Sequence, residues 1–378
     1  MTGYVGRPAR IGTALTATLL TLLPLSVVQA AATFTMQQPQ FVAGQWPDRS
    51  ADLCQVATET LKYIDKGQSY DPVAIHGGKI PGATVSVADI RATLLYICKI
   101  ANEDRAAGRK SRLTDPNFIQ QHFNFVRWLP DQAGAAKLAK NKPLLQKLPA
   151  DKILQTKYFV KIADGSPVKT PQQNQALYGL PYDEAKLDLA TADALGKKIT
   201  RFQLGKQEIV RGALEKAPLR APVLFWLSRA DLEGALLQGT AVVPSGKGYR
   251  YYNVHRTNGI PYDRTKTPEQ QQRYWYFKEV QSVLGYGKDA DYKIPIKPEV
   301  TVAGDIPQLG LGKLILLATP ESGVMHYRLT ILADTGGAFA NNLFQLDWLS
   351  GYYRGWPDYF AANKHRGDYS QAYLLLKK

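Results

Sequence analysis

Leu329-Thr-Ile-Leu-Ala-Asp334-Thr-Gly-Gly337-Ala-Phe-Ala-Asn-Asn-Leu-Phe-Gln-Leu-Asp347-Trp-Leu-Ser-Gly351 is the stretch whose reading decides the fold. Leu329 to Ala333 is an apolar run of the length of one buried strand. It stops on Asp334, and Thr335-Gly336-Gly337 then forces a tight turn. Two adjacent glycines predict positive φ or a very close approach of the backbone to something. Asp347 follows among Phe344, Leu346, Trp348 and Leu349. A carboxyl in such apolar company is expected to be an acid with a raised pKa.

The chain has 378 residues and is 45% hydrophobic, enough for one large or two moderate domains with a real core. Arg7 and Arg10, the apolar Ile11 to Val28, and Val28-Gln29-Ala30 have the layout of a secretory signal peptide over residues 1–30. An uncleaved N-terminal anchor is the alternative. No cysteine stands near Ala30, so a lipid anchor is not expected, and no stable membrane anchor is expected after cleavage. The formal net charge is +15, and removing Arg7 and Arg10 with the leader leaves +13. In an exported chain this favours an anionic envelope polymer over nucleic acid, with solubility alone as the bland alternative.

Cys54 and Cys98 are the two cysteines. In an oxidising compartment an even pair in helical stretches suggests one disulfide, and two buried free thiols remain the alternative. The five histidines are scattered, and neither a metal site nor a Ser-His-Asp triad is suggested.

Apolar spacing predicts helices over Asp52–Lys66 and, with Ser86 as N-cap, to about Asp104. A third short element is expected over Phe118–Trp128, opened by Pro116-Asn117. Tyr158–Ala163 alternates like a strand, Lys206–Leu214 reads as a short helix, and Pro222–Leu227 is strand-like. Gly246-Lys-Gly248 is a hairpin turn into Tyr249–Val254, and Asn258-Gly259-Ile-Pro261 is another turn. Thr267–Leu284 is predicted as an amphipathic helix with Pro268 in its first turn. Strands follow at Val300–Val302, Leu314–Ala318, Tyr327–Ala333 and Ala372–Leu376. The class is therefore mainly β with N-terminal helices, α+β.

Four segments together resemble the membrane-bound lytic murein transglycosylase A family with its C-terminal three-aspartate (3D) domain. Asp334-Thr-Gly-Gly337-Ala-Phe with Asp347 and Gly351 resembles the family's Asp-(Thr/Val)-Gly-Gly-Ala segment and downstream Asp. Gln238-Gly239-Thr240 resembles its Gln-Gly-Ser/Thr-Gly motif. Tyr252 to Tyr262 resembles its Tyr-x-x-x-Asn-Gly-x-Pro-Tyr stretch, and Arg211-Gly212 with Phe225-Trp226-Leu227 the segment before it. Three departures stand out. Ala241 replaces a glycine, the Gly337–Asp347 segment is longer, and Gly355–His365 keeps little of the family's Gly/Ala-rich stretch, leaving Asp358 as a reserve candidate acid.

The resemblance implies a double-ψ β-barrel over 31–157 and 271–378, carrying the N-terminal helices, and an inserted β domain over 158–270. A groove between them would hold a glycan strand. It implies a periplasmic, monomeric enzyme that cleaves the MurNAc-β-1,4-GlcNAc bond of peptidoglycan with 1,6-anhydro-MurNAc formation and no cofactor. One carboxyl suffices because the 6-hydroxyl nucleophile is tethered to the sugar under attack. By position in the motif, Asp347 is the acid/base. Asp334 is given a supporting role, orienting the turn or tuning Asp347 by its charge, with a turn-capping Asp as the alternative. Gln238, Gly239, Thr240, Gly336 and Gly337 would line the groove, and Tyr252 and Trp348 would stack on sugar faces.

Two rivals stand beside this. Asp-Thr-Gly after an apolar run also suits an aspartic protease, but that mechanism needs a second such carboxyl and the chain has no second Asp-Thr/Ser-Gly. A non-catalytic glycan-binding envelope protein on the same barrel is the other, since fold alone does not decide function.

Overall fold

A computed structural model describes residues 32–216, 219–246, 248–263, 265–288 and 292–378. The expected leader lies outside the described residues. Among the described residues no helix is long and apolar enough to cross a membrane.

Six strands close into a barrel. Tyr369–Lys377 pairs antiparallel with Leu314–Glu321, which pairs antiparallel with Val324–Asp334. Val324–Asp334 runs parallel to the short Thr301–Ala303, which pairs antiparallel with Gln345–Tyr353. Gln345–Tyr353 runs parallel to Ile153–Ile162, and that strand returns antiparallel to Tyr369–Lys377. Closure leaves no free edge within the ring. The β-rich α+β expectation with a closed barrel is met. The barrel draws on near-continuous apolar runs such as Leu314-Ile-Leu-Leu317 and Ile331-Leu-Ala333, all buried, as strands covered on both faces require.

The helices Ser50–Ile64 and Val87–Ala106 pack against this barrel core through Leu53, Val56, Ile90, Leu94 and Ile97. Ser86 starts the second helix with a capping box. Its hydroxyl accepts from the Asp89 N–H at 3.0 Å, and the Asp89 carboxylate accepts from the Ser86 N–H at 2.8 Å. Cys54 and Cys98 form the disulfide joining these helices, so the free-thiol alternative falls.

A second apolar core holds Tyr178, Phe225, Leu236, Tyr252, Tyr274 and Phe277. Around it lie the strands Gln175–Tyr178 and Val223–Leu227, the helix Arg229–Gln238, and the hairpin Thr240–Ser245 with Gly248–Thr257. Ile153–Ile162 ties the two cores together. It leaves the barrel to run parallel to the hairpin, with Lys161 opposite Ala241.

Two predicted elements differ. Thr267–Leu284 is not a helix; a 3-10 turn over Pro268–Gln270 is followed by a strand, Trp275–Val280, paired with Gly248–Thr257. Tyr274 and Tyr276 are fully buried while Trp275 between them is half-buried, so the operative period is two, and aromatic residues favour strands. Phe118–Trp128 is likewise not one element. A helix over Pro116–His122 gives way to the strand Phe123–Leu129, which pairs with the C-terminal strand.

Candidate active site

The apolar run ends where the barrel opens. Asp334 is the last residue of its strand and stands opposite Ala303; Asp347 stands opposite the same Ala303 from the other side. Strands lie about 4.8 Å apart, so the two Asp Cα atoms are separated by about 10 Å across the small alanine. Leu346 and Trp348 turn into the protein, and strand alternation therefore turns Asp347 the other way, into a cleft.

The cleft has a volume of about 420 Å³, within the ordinary range for ligand sites. Its floor carries Tyr158, Ala303, Asp334 and Asp347 from the barrel. Its wall carries Gln238, Gly239, Thr240 and Asn253 from the second core, with Lys293 and Gly336 at its margin. The structure thus brings together residues distant in sequence, including both motif aspartates and the Gln238-Gly239-Thr240 segment.

Asp334 is tightly held. Its Oδ2 accepts from the Tyr158 hydroxyl at 2.7 Å and its Oδ1 from the Thr335 N–H at 2.8 Å, while the Thr335 hydroxyl donates to the Gly304 carbonyl at 2.8 Å. It does cap its turn, as the structural alternative held, and it also faces the cleft. Burial pushes its pKa up to about 6, against the Tyr158 and Thr335 hydrogen bonds and the charge of Lys293, which favour the carboxylate. Asp347 is less constrained. Its Oδ1 is buried and has no hydrogen-bond partner among the described residues. Burial first, and then the charge of Asp334, push its pKa up to about 7, with the Thr156 hydroxyl and Lys157 pulling the other way. Two carboxyls that act on each other titrate as a pair, and the order is the useful point: Asp347 keeps its proton longer.

Gly239 closes the helix Arg229–Gln238 at φ +75°, a left-handed C-cap that a side chain would strain. That turn delivers Gln238 to the cleft and starts the strand at Thr240. The Thr240 hydroxyl accepts from the Asn253 amide at 2.9 Å, and the Asn253 Oδ1 accepts from Lys293 at 3.1 Å, a polar chain leading back toward Asp334. Ala241, where a glycine was expected, is a buried strand residue opposite Tyr252 at ordinary φ, so the departure costs nothing.

Several expectations need correction. Tyr252 is fully buried in the second core, beside Phe225 and under the Arg250 guanidinium, and offers no face to the cleft. Trp348 is fully buried too. Its indole N–H donates to the Glu299 carbonyl at 3.0 Å and its ring lies between Arg328 and Arg366. Both follow the commoner fate of large aromatics, the core. Gly336 and Gly337 are not in the left-handed region, and a Cβ on Gly336 would meet nothing nearer than Phe339 at 3.9 Å. Gly336 lines the cleft and Gly337 does not. The reserve acid Asp358 is exposed on the helix Trp356–Asn363, away from the cleft lining.

Tyr158, Asn253, Lys293 and Ala303 were missed. Tyr158 was legible as a strand residue, but nothing local marks its hydroxyl as the partner of a carboxyl 176 positions away. Among the described residues no three His, Cys, Asp or Glu side chains converge as metal ligands.

No family model matches the sequence, and no curated protein matches it significantly. Solved structures do match. A membrane-bound lytic murein transglycosylase from Agrobacterium tumefaciens is 14% identical, with a TM-score of 0.55 over 91% of this chain and 98% of that one. Escherichia coli MltA with bound chitohexaose is 15% identical, with a TM-score of 0.55 over 91% and 94%. MltA from Neisseria gonorrhoeae is 16% identical, with a TM-score of 0.54 over 88% and 90%. The chain has the MltA fold. At such identities the likeness concerns the fold, and it extends over nearly the whole length of each relative.

Proposed function

We propose that the cleft holds a glycan strand of peptidoglycan and cleaves it as a lytic transglycosylase, with Asp347 as the single acid/base. The observation that carries this is the state of Asp347. It is a carboxyl that lines the cleft floor with a pKa pushed up to about 7, so it holds a proton beside the space a glycan would fill. The MltA fold supports the reading, and the Escherichia coli protein of that fold has been captured with chitohexaose.

In this mechanism protonated Asp347 donates to the glycosidic oxygen as the bond to C1 of the muramyl sugar breaks. The 6-hydroxyl oxygen of the same sugar bonds to C1, and the Asp347 carboxylate takes the hydroxyl proton. Asp347 ends as it began, and no water enters. Tethering supplies the nucleophile at high effective concentration, which is why a second catalytic carboxylate beside the sugar is not needed. Asp334, fixed by Tyr158 and Thr335, serves by its charge, which helps Asp347 keep its proton. Gln238 offers its amide to acetamido or hydroxyl groups of the sugar.

The reading includes an exported, monomeric protein acting in the periplasm. It divides the chain into a barrel unit, 31–157 with 271–378, and an inserted unit over 158–270; the barrel strand Ile153–Ile162 crosses that boundary, and the strand Trp275–Val280 lies with the inserted unit, its Tyr276 and Phe277 in the second core. The test is turnover of glycan strands by wild type and Asp347→Asn. Loss of about a hundredfold or more in the variant, with strand binding kept, is the expected result; equal turnover would remove Asp347 from the chemistry.

A further inference from the structure

Beside the cleft lies a shallow pocket walled by Tyr262, Arg273, Trp275 and the ion pair Lys206–Glu233. Leu237, exposed on the last turn of the helix Arg229–Gln238, lines both the pocket and the cleft, so the two are neighbours. The Arg273 guanidinium lies 4.9 Å from the Tyr262 ring centre and 5.7 Å from that of Trp275. Cation–π contacts of this kind hold the guanidinium over the rings without using its N–H donors.

Those donors have no protein partner: among the described residues Arg273 is neither hydrogen-bonded nor ion-paired to any side chain or backbone group. The one carboxylate in the pocket is already taken, since Glu233 accepts from Lys206 at 2.6 Å and from Arg229 at 2.9 Å. Burial lowers the pKa of Arg273, and only Tyr262 works against that; no carboxylate contributes.

We propose that Arg273 binds a carboxylate carried by the glycan strand in the cleft, and so selects strands bearing one over neutral chitin-like strands. This rests on the glycan reading of the cleft. The carboxylate has two possible sources. One is the lactyl ether of a muramyl sugar without peptide; the other is a carboxylate of the attached stem peptide. Arg suits either through paired N–H donors, a geometry that Lys cannot reproduce in full.

The test measures affinities by calorimetry with the full chain, in an Asp347→Asn background so that no ligand is consumed. The ligands are peptide-bearing strands, peptide-free strands and chitohexaose. Arg273→Gln is expected to lower the ratio of affinity for carboxylate-bearing strands over chitohexaose by about tenfold, and Arg273→Lys to restore part of it. A loss confined to peptide-free strands assigns the lactyl carboxylate, which the stem peptide converts to an amide; a loss confined to peptide-bearing strands assigns the stem; a loss in both supports the proposal with Arg273 accepting either source. An unchanged ratio, whether both affinities hold or fall together, overturns the proposal. Failure of the Asp347→Asn parent, with Arg273 intact, to bind any strand overturns the glycan reading and this proposal with it.

Discussion

Asp334 and Asp347 stand opposite one and the same residue, Ala303, from the strands on either side of it. The register makes them partners: Asp334 is fastened by two hydrogen bonds, Asp347 keeps an oxygen free, and the charge of the first raises the pKa of the second. Unequal fastening of two acids in one cleft separates their roles.

Turnover should therefore fall with alkali. Cleavage begins with protonated Asp347, so kcat/KM is expected to decline above an apparent pKa near 7, the value to which burial and Asp334 push this carboxyl. The check is a pH–rate profile on purified glycan strands. A profile flat from pH 6 to 9 would rule Asp347 out as the proton donor.

Tyr158→Phe tests the coupling. The lost hydrogen bond favoured the Asp334 carboxylate, so the pKa of Asp334 rises further. Less negative charge then faces Asp347, whose own pKa falls. The alkaline limb should move to lower pH, and kcat should drop about fivefold, the worth of one ordinary hydrogen bond. A lower kcat with an unmoved limb would make Tyr158 merely structural.

Asp347→Asn should stabilise the fold in a pH-dependent way. A carboxyl whose pKa rises on folding, here from 3.8 to about 7, binds its proton more tightly in the folded chain. Its contribution is full below about pH 4 and is lost as the pH climbs through 7. The Asn variant should thus match wild type near pH 4 and exceed it at pH 8 by about 2 kcal/mol, half the full linkage value because the cleft is open to water. Urea unfolding at both pH values measures this.

Much of this was legible in the chain, for physical reasons that can be named. Leu329–Ala333 had to be a strand because four apolar residues around Thr330, ending on an Asp, need cover on both faces. Ser86 announced the N-cap of the second helix; the partner half of its capping box, Asp89, was not read. The aromatic residues near Asp347 misled only in part. They sit in its sequence neighbourhood, yet Leu346 and Trp348 point the opposite way, because neighbours in a strand face opposite sides, so the walls of the cleft and not these flanks surround its carboxyl. Trp275–Val280 was hidden by Pro268 and a run of glutamines that mimic a helix start. Tyr158, Asn253 and Lys293 could not be found, since barrel closure and the Ile153–Ile162 crossover, not sequence spacing, bring them to the cleft.

The disulfide should matter for stability and not for chemistry. Cys54–Cys98 spans 44 residues between two helices outside the cleft. In the chain-entropy account a loop of that length is worth roughly 4 kcal/mol. Cys54→Ser with Cys98→Ser should lower the thermal midpoint by several degrees while leaving the pH–rate profile in place, as differential scanning fluorimetry and the strand assay would report.

The most direct test of the central claim is a digest of purified peptidoglycan sacculi by residues 31–378, read by mass spectrometry, with Asp347→Asn alongside. Anhydro-muramyl ends from wild type and none from the variant are the predicted result. Reducing ends instead would mean that water attacks C1. No products at all, with the protein still pelleting on sacculi, would contradict the enzyme and leave a protein that grips the strand without cutting it.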